Sequence, residues 1–291
     1  MPSITIIGPG SVGGTVAAWL ARDKTNTIRI CARTAFDELI VETPHGTLTV
    51  KPAIFTSPEQ VEAADWVLIA TKTYDVVQTA KWLQRLVAPN TIVAILQNGV
   101  EHMERFMPYV PAAQLLPVVV NLPAQRKAPG HIWQTGNGEL TVPDTDNGRE
   151  FVKLFQQTQL AARTTPDFLT HAWAKLALNS TGAIPALTLQ PLNLRKHEDL
   201  VEISRLLIRE CIAVANAEGA KLDEMLENKI INGYRDNPSN SINSLHADRL
   251  AGRPMETDAR NGAIVRIGKK HGIATPMNQL ITILLNATND E

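Results

Sequence analysis

Apolar positions in the first 165 residues come in short, dense runs. Residues 4–7, 28–31, 66–70, 91–96 and 115–120 each give four to six mostly apolar positions. Runs of that length suit parallel strands covered on both faces. Between them lie helical candidates at 12–22, 75–87 and 100–109; in the second, Val76, Ala80, Leu83 and Val87 recur at helical spacing. This alternation predicts an α/β fold with a Rossmann-type, doubly wound parallel sheet. Near its end, residues 132–134 and 140–142 flank Thr135-Gly136-Asn137-Gly138, which reads as a hairpin, and 151–158 reads as a helix. After Pro166 the strand signal disappears. Residues 168–181, 200–217, 222–231, 244–250, 257–271 and 277–285 all read as helices, with Gly219, Gly252 and Gly272 at expected C-caps. Two domains are expected: an α/β domain over 1–165 and an all-helical domain over 166–291.

Composition narrows the function classes. The 291 residues are 44% hydrophobic and 20% charged, the balance of a globular chain with a sizeable core. Lys plus Arg total 28 against 29 Asp plus Glu, leaving a formal net charge of -1 and no electrostatic footprint for nucleic acid or an anionic membrane. Apolar runs such as Trp66-Val67-Leu68-Ile69-Ala70 fall far short of the roughly 20 residues that span a bilayer. The chain opens Ser3-Ile4-Thr5-Ile6-Ile7 and enters a glycine turn, without the pattern of a signal peptide. Cys31 and Cys211 are far apart, which argues against a disulfide framework and fits a reducing compartment. A cytoplasmic location is expected. The histidines are scattered without metal-ligand spacing, so neither a metal site nor a Ser–His–Asp triad has support.

The sharpest local motif is Gly8-Pro9-Gly10-Ser11-Val12-Gly13 between the first strand and the first helix. Gly8 permits the tight turn, Gly10 lets the backbone approach a pyrophosphate, and Gly13 lets helix and strand pack closely. The helix N-terminus adds N–H donors and partial positive charge. At the tip of the second strand, Ala32-Arg33-Thr34 offers no acid for the ribose hydroxyl of NAD. Arg33 could instead pair with the 2′-phosphate of NADP, although a solvated arginine after a strand is an ordinary feature. Lys72 follows the strand ending at Ala70, and Gln97-Asn98-Gly99 follows the next strand. Both lie where ligands meet such sheets, Lys72 suited to phosphate or carboxylate and Asn98 to a carbonyl or ribose. A surface lysine and a turn amide explain them equally well.

In the helical half, Lys175 and Asn179 sit one turn apart within Trp173-Ala174-Lys175-Leu176-Ala177-Leu178-Asn179. An unpaired ammonium is costly to bury, so Lys175 must reach outward, pair with an acid or face a wet cleft. Glu256 and Asp258 suit the first turn of a helix, and Ser244 looks like an N-cap.

Taken in order, these motifs resemble the ketopantoate reductase (2-dehydropantoate 2-reductase) family of the 6-phosphogluconate-dehydrogenase-like superfamily. The likeness covers nearly the whole chain and includes Trp173-x-Lys175-Leu176-x-x-Asn179, Asn243-Ser244-Leu245, Asp248, Glu256-x-Asp258 and His271-Gly272-Ile273-Ala274-Thr275-Pro276. The resemblance implies NADPH-dependent reduction of a 2-oxo acid, ketopantoate to pantoate in pantothenate biosynthesis. It implies Lys175 as general acid, Asn179 as a substrate-binding amide and Ser244 as a holder of the substrate carboxylate. Glu256 would contact cofactor and orient the lysine, Lys72 and Asn98 would lie around the nicotinamide and substrate, and Arg33 would meet the 2′-phosphate. One departure stands out: Ala183-Ile184-Pro185 replaces the family's second asparagine and following residues. Asn193 or water would then have to supply the lost hydrogen bond.

Two other functions compete. A branched-chain 2-hydroxy acid dehydrogenase would use the more apolar pocket that Ala183 suggests. A non-catalytic NADP-sensing module would need the glycine turn and Arg33 but not Lys175, Asn179 and Glu256. The apolar helices of the second half can bury a homodimer interface, although core packing explains them as well.

Overall fold

The computed structural model describes residues 1–195, 197–236 and 242–288. The chain forms two compact units, one of Met1–Asn98 with His102–Phe168, the other of Gly99–Glu101 with Leu169–Glu291.

The first unit is built on six parallel strands: β1 (Ser3–Ile7), β2 (Thr27–Cys31), β5 (Ala53–Phe55), β6 (Trp66–Ile69), β7 (Ile92–Ile95) and β8 (Leu115–Pro117). Their order is β5-β2-β1-β6-β7-β8, with Ile4 opposite Ile28 and Ile6 opposite Leu68. The order reverses at β1, as the Rossmann arrangement requires, so the α/β expectation holds. Along β6, Trp66 and Leu68 enter one apolar cluster while Val67 and Ile69 enter another. That two-sided burial is why the strands read as unbroken apolar runs. Each buried Ile or Leu contributes roughly 1.5–3 kcal/mol. Helix α1 (Ser11–Leu20) lies in the first cluster and α2 (Val76–Leu86) presents Leu83 and Leu86 to the second.

Several elements differ from the sequence reading. A second sheet, β10-β11-β3-β4, contains β3 (Leu39–Thr43), β4 (Gly46–Val50), β10 (Ala124–Ala128) and β11 (His131–Gln134); a third, β13-β12-β9, contains β9 (Val119–Asn121), β12 (Glu139–Pro143) and β13 (Ala161–Thr165). The hairpin expected around Thr135 to Gly138 is therefore not formed. β11 pairs with β10 and β3, and β12 with β13 and β9. β11 instead forms a hairpin with β10 one turn earlier, at Gly130 with φ +72°, and the distant β3 takes its other edge, while β12 goes to a different sheet. The run at 115–120 divides between two sheets beyond Pro117, which has no N–H to continue a ladder. Helix α3 (His102–Phe106) is shorter than expected, and α4 (Asp146–Lys153) begins earlier, where Thr145 caps it by accepting from the Gly148 N–H at 3.1 Å.

The second unit is helical, and among the described residues no strand follows Thr165. Its helices are α5 (Phe168–Thr181), α6 (Ala183–Thr188), α7 (Glu198–Ala217), α8 (Met225–Asp236), α9 (Ser244–Leu250), α10 (Ala263–Lys270) and α11 (Pro276–Ala287). Gly219, Gly252 and Gly272 adopt φ of +95°, +58° and +67° after α7, α9 and α10, as C-cap glycines should. The helix expected over 257–271 opens instead with a π turn, Asp258–Gly262, closed by the Gly262 N–H donating to the Thr257 carbonyl at 3.0 Å. Ser244 is not the cap of α9. Asn243 is, its Oδ1 accepting from the N–H groups of Leu245 and His246 at 3.0 and 3.1 Å. Among the described residues no helix is long and apolar enough to cross a membrane, and no cluster of metal-ligating side chains occurs. Both cysteines are free and buried, and burial pushes the Cys31 thiol up to about 12.

Candidate active site

The glycine turn follows β1 directly. Gly8 has φ +90°, and a Cβ there would stand 2.9 Å from the Thr71 amide nitrogen. At Gly13 a Cβ would meet the Gly8 carbonyl oxygen at 2.3 Å and Ala70 Cβ at 2.8 Å. A Cβ on Gly10, by contrast, would meet nothing within 4 Å. The first intrahelical bond runs from the Gly14 N–H to the Gly10 carbonyl at 2.9 Å. No side chain caps the helix, so the Ser11, Val12 and Gly13 amides begin it as donors without an intrahelical acceptor. Open space at Gly10 before such donors fits a pyrophosphate. Pro9 fills the turn between the first two glycines. Arg33 is exposed in the bend after β2, the strand beside β1, and its fork fits a ribose phosphate.

Gln97 ties the next two loops together. Its buried Nε2 donates to Thr71 Oγ1 and to the Lys72 carbonyl, both at 3.2 Å. The Lys72 and Asn98 loops are thus fixed side by side beyond the neighbouring strands β6 and β7. The Asn98 carbonyl accepts from Arg105 Nη1 at 3.0 Å, and His102 Nε2 lies 3.0 Å from the Gln97 carbonyl. Burial and the nearby Arg105 charge press the His102 ring down to about 4, so it is neutral and structural at pH 7.

In the helical unit, Lys175 and Asn179 are both half-buried on α5, between the fully packed Trp173, Leu176, Ala177 and Ser180. Burial, with repulsion from Arg260, lowers Lys175 from its ordinary 10.5 to about 8. Glu256 is 4% exposed and precedes the π turn rather than occupying a solvated first turn; Asp258 is exposed and bound by Arg266 at 2.8 Å. Ser244 is exposed at the start of α9, and its Oγ accepts from Arg260 Nη2 at 2.5 Å. Asn261 joins these segments by donating to the Ser180 carbonyl at 3.1 Å and to Asn278 Oδ1 at 2.9 Å.

Three residues were given no role by the sequence alone. Gly14 is needed because a Cβ would meet Ile132 Cδ1 at 2.2 Å, Ile132 belonging to the unforeseen second sheet. Gln97 acts through contacts that no local pattern reveals. Arg260 did leave a signal: with Ala263, Ile264 and Ile267 it repeats at helical spacing on an otherwise apolar face. Ala183 is fully buried in the core of its unit, and Asn193 Oδ1 accepts from the Arg195 N–H at 3.2 Å.

Comparison with known proteins accords with this geometry. Residues 4–147 match the sequence model described as ketopantoate reductase PanE/ApbA, and residues 167–289 match its C-terminal counterpart. A 2-dehydropantoate 2-reductase of Caulobacter vibrioides is 50% identical over 287 residues, covering 99% of each chain. The crystal structure of a 2-dehydropantoate 2-reductase from Geobacter metallireducens superposes with a TM-score of 0.92 at 26% identity, covering 98% of this chain and 99% of that one. A structure described as a dimeric ketopantoate reductase from Staphylococcus aureus has a TM-score of 0.88 at 26% identity, with 99% of each chain covered. With both parts of the family description matched and half the residues shared with a full-length relative, this chain belongs to the ketopantoate reductase family of oxidoreductases.

Proposed function

We propose that the chain reduces 2-dehydropantoate (ketopantoate) to pantoate with NADPH, residues 1–165 serving as the NADP-binding domain and 166–291 as the substrate and catalytic domain. Residues Gly8, Pro9, Gly10, Ser11, Val12 and Gly13 hold the pyrophosphate, Arg33 holds the 2′-phosphate, and Lys72, Asn98 and Glu256 contact the remainder of the cofactor. Bound NADPH supplies a hydride equivalent to the substrate's carbonyl carbon. Negative charge then grows on the carbonyl oxygen, where the Lys175 ammonium stabilises it and gives up a proton. Asn98, Asn179 and Ser244 orient the substrate, and Glu256 orients Lys175. The neutral amine recovers its proton from solvent after each turnover.

The observation that carries this reading is Lys175 itself, a half-buried ammonium whose affinity for its proton is lowered to about 8. A lysine so tuned holds a proton at neutral pH and releases it readily, a property that a nucleotide sensor does not need. Full burial of Ala183 in the core also removes the reason to expect an apolar wall facing substrate, so the branched-chain alternative loses its motive. The chain is taken to act in the cytoplasm and to form a homodimer, as its Staphylococcus aureus relative is described. The test is turnover of a 2-oxo acid panel with NADPH and with NADH. Preference for ketopantoate with NADPH, lost in Lys175→Ala, is expected; NADPH binding without turnover of any 2-oxo acid would refute the assignment.

A further inference from the structure

Arg260 is only 2% exposed, and the residues so far given roles do not include it. Its Nη2 donates to Ser244 Oγ, and its Nε has no hydrogen-bond partner among the described residues. The buried carboxylates of Glu256 and Asp248, together with the Tyr234 phenol, act on it through space. Asp248 also binds Arg253 Nε at 3.0 Å, so its charge is shared. A guanidinium is expensive to bury, and a well-packed apolar side chain in its place is often neutral or stabilising. Packing alone is therefore a poor reason for an arginine here.

The bond to Ser244 has a directional consequence. A hydroxyl that accepts from a guanidinium must turn its own hydrogen elsewhere, and the charge polarises that O–H. Ser244 is exposed whereas Arg260 is not, so the hydrogen is presented on the open side of the pair. We propose that Arg260 is a positioning residue that makes Ser244 a committed hydrogen-bond donor and reserves the place before it for the carboxylate of a 2-oxo acid. The inference rests on the function proposed above. The start of α9, where Ser244 stands, is itself held from a second side. Asn243 Nδ2 donates to the Gly182 carbonyl at 3.1 Å and so seats the start of α9 beside residue 183.

The test compares kcat/KM for ketopantoate and its methyl ester, with NADPH, in wild type, Arg260→Met, Arg260→Lys and Ser244→Ala. Wild type should prefer the acid by about a hundredfold or more. Arg260→Met should bring the ratio near one, chiefly through KM, and Arg260→Lys should restore part of the preference. Adding Ser244→Ala to Arg260→Met should cost little more, because the two side chains act as one unit. The alkaline limb of the pH profile should also move upward in Arg260→Met as repulsion on Lys175 disappears, whereas the loss of acid preference through KM, partly rescued by lysine, is what a space-filling role would not produce. Tryptophan-fluorescence titration with NADPH should be unchanged. An undiminished acid preference in folded Arg260→Met overturns the role. If that variant does not fold, Ser244→Ala decides, since its side chain is exposed, and an acid preference retained there is equally fatal. A wild type that turns over no 2-oxo acid fails at the function itself and takes this inference with it.

Discussion

A lysine half-buried beside a guanidinium holds its proton less firmly than one in water, and under the proposed mechanism the lowered value at position 175 sets the working range of the reaction. If reduction consumes a proton at Lys175, as proposed, kcat/KM should be level below about pH 8 and fall about tenfold per unit above it. Pantoate oxidation should show the opposite limb. Lys175→Ala should lower kcat by about 10² to 10⁴. The same charge weighs on stability. Because the folded value lies below the unfolded one, the unfolded chain binds more protons between about pH 8 and 10.5, and stability should rise with pH across that window. Lys175→Met, which removes the charge but keeps the stem, should raise Tm by a few degrees at pH 7 while abolishing turnover. Gly13 poses the reverse case. An alanine methyl would stand 2.3 Å from the Gly8 carbonyl, and the turn must shift to admit it. Gly13→Ala is expected to weaken NADPH binding at least about tenfold and to cost about 1–3 kcal/mol, measured by fluorescence titration and urea unfolding.

Helix α9 depends on one side chain for its start. Asn243 caps it and also bonds the Gly182 carbonyl across to α6. Asn243→Ala should cost about 2 kcal/mol, a cap plus a tertiary hydrogen bond. By loosening Ser244 it should also raise KM for the oxo acid more than it lowers kcat; urea unfolding and steady-state kinetics check the two parts. At this scale the sequence was legible wherever burial is two-sided or helical period is long, as in β1, β2, β6, β7 and α5. It was less legible where pairing is non-local. β3 and β4 carry short alternating patterns, β11 pairs with its neighbour β10 and with the distant β3, and β12 pairs with β9 and β13 rather than with β11, so a glycine-rich turn passed for a hairpin. The π turn was hidden for a related reason. Its extra residue depends on Asn261 reaching Ser180 and Asn278 on other helices, and such tertiary bonds leave no periodic trace. The glycine turn, Lys175 and Asn179 could be read because their spacing is local. Arg260 reaches Ser244 across 16 residues, and only an apolar face interrupted by one charge marked it.

For the molecule as a whole, near-neutral charge withholds any general attraction to phosphate-rich partners, so recognition of the cofactor must come from placed groups. The glycine turn, in its proposed role, would serve NADPH and NADH alike, since both carry the same pyrophosphate. Arg33 is the group that could separate them, because a guanidinium gains a bidentate partner only when the 2′-phosphate is present. Its exposed position means that removing it leaves no buried group unpaired, so Arg33→Ala should fold with wild-type Tm in the absence of nucleotide. A ligand that binds only the folded chain stabilises it by about 2.7 kcal/mol at a concentration one hundred times its Kd. Thermal denaturation with each cofactor therefore reads discrimination directly. Wild type should gain clearly more Tm from NADPH than from NADH at equal concentration. In Arg33→Ala the NADPH gain should fall to the level given by NADH, while the NADH gain stays unchanged. Equal loss of both gains would mean that Arg33 supports the turn and not the phosphate. An intact NADPH preference would move recognition of the 2′-phosphate to another cation of this unit.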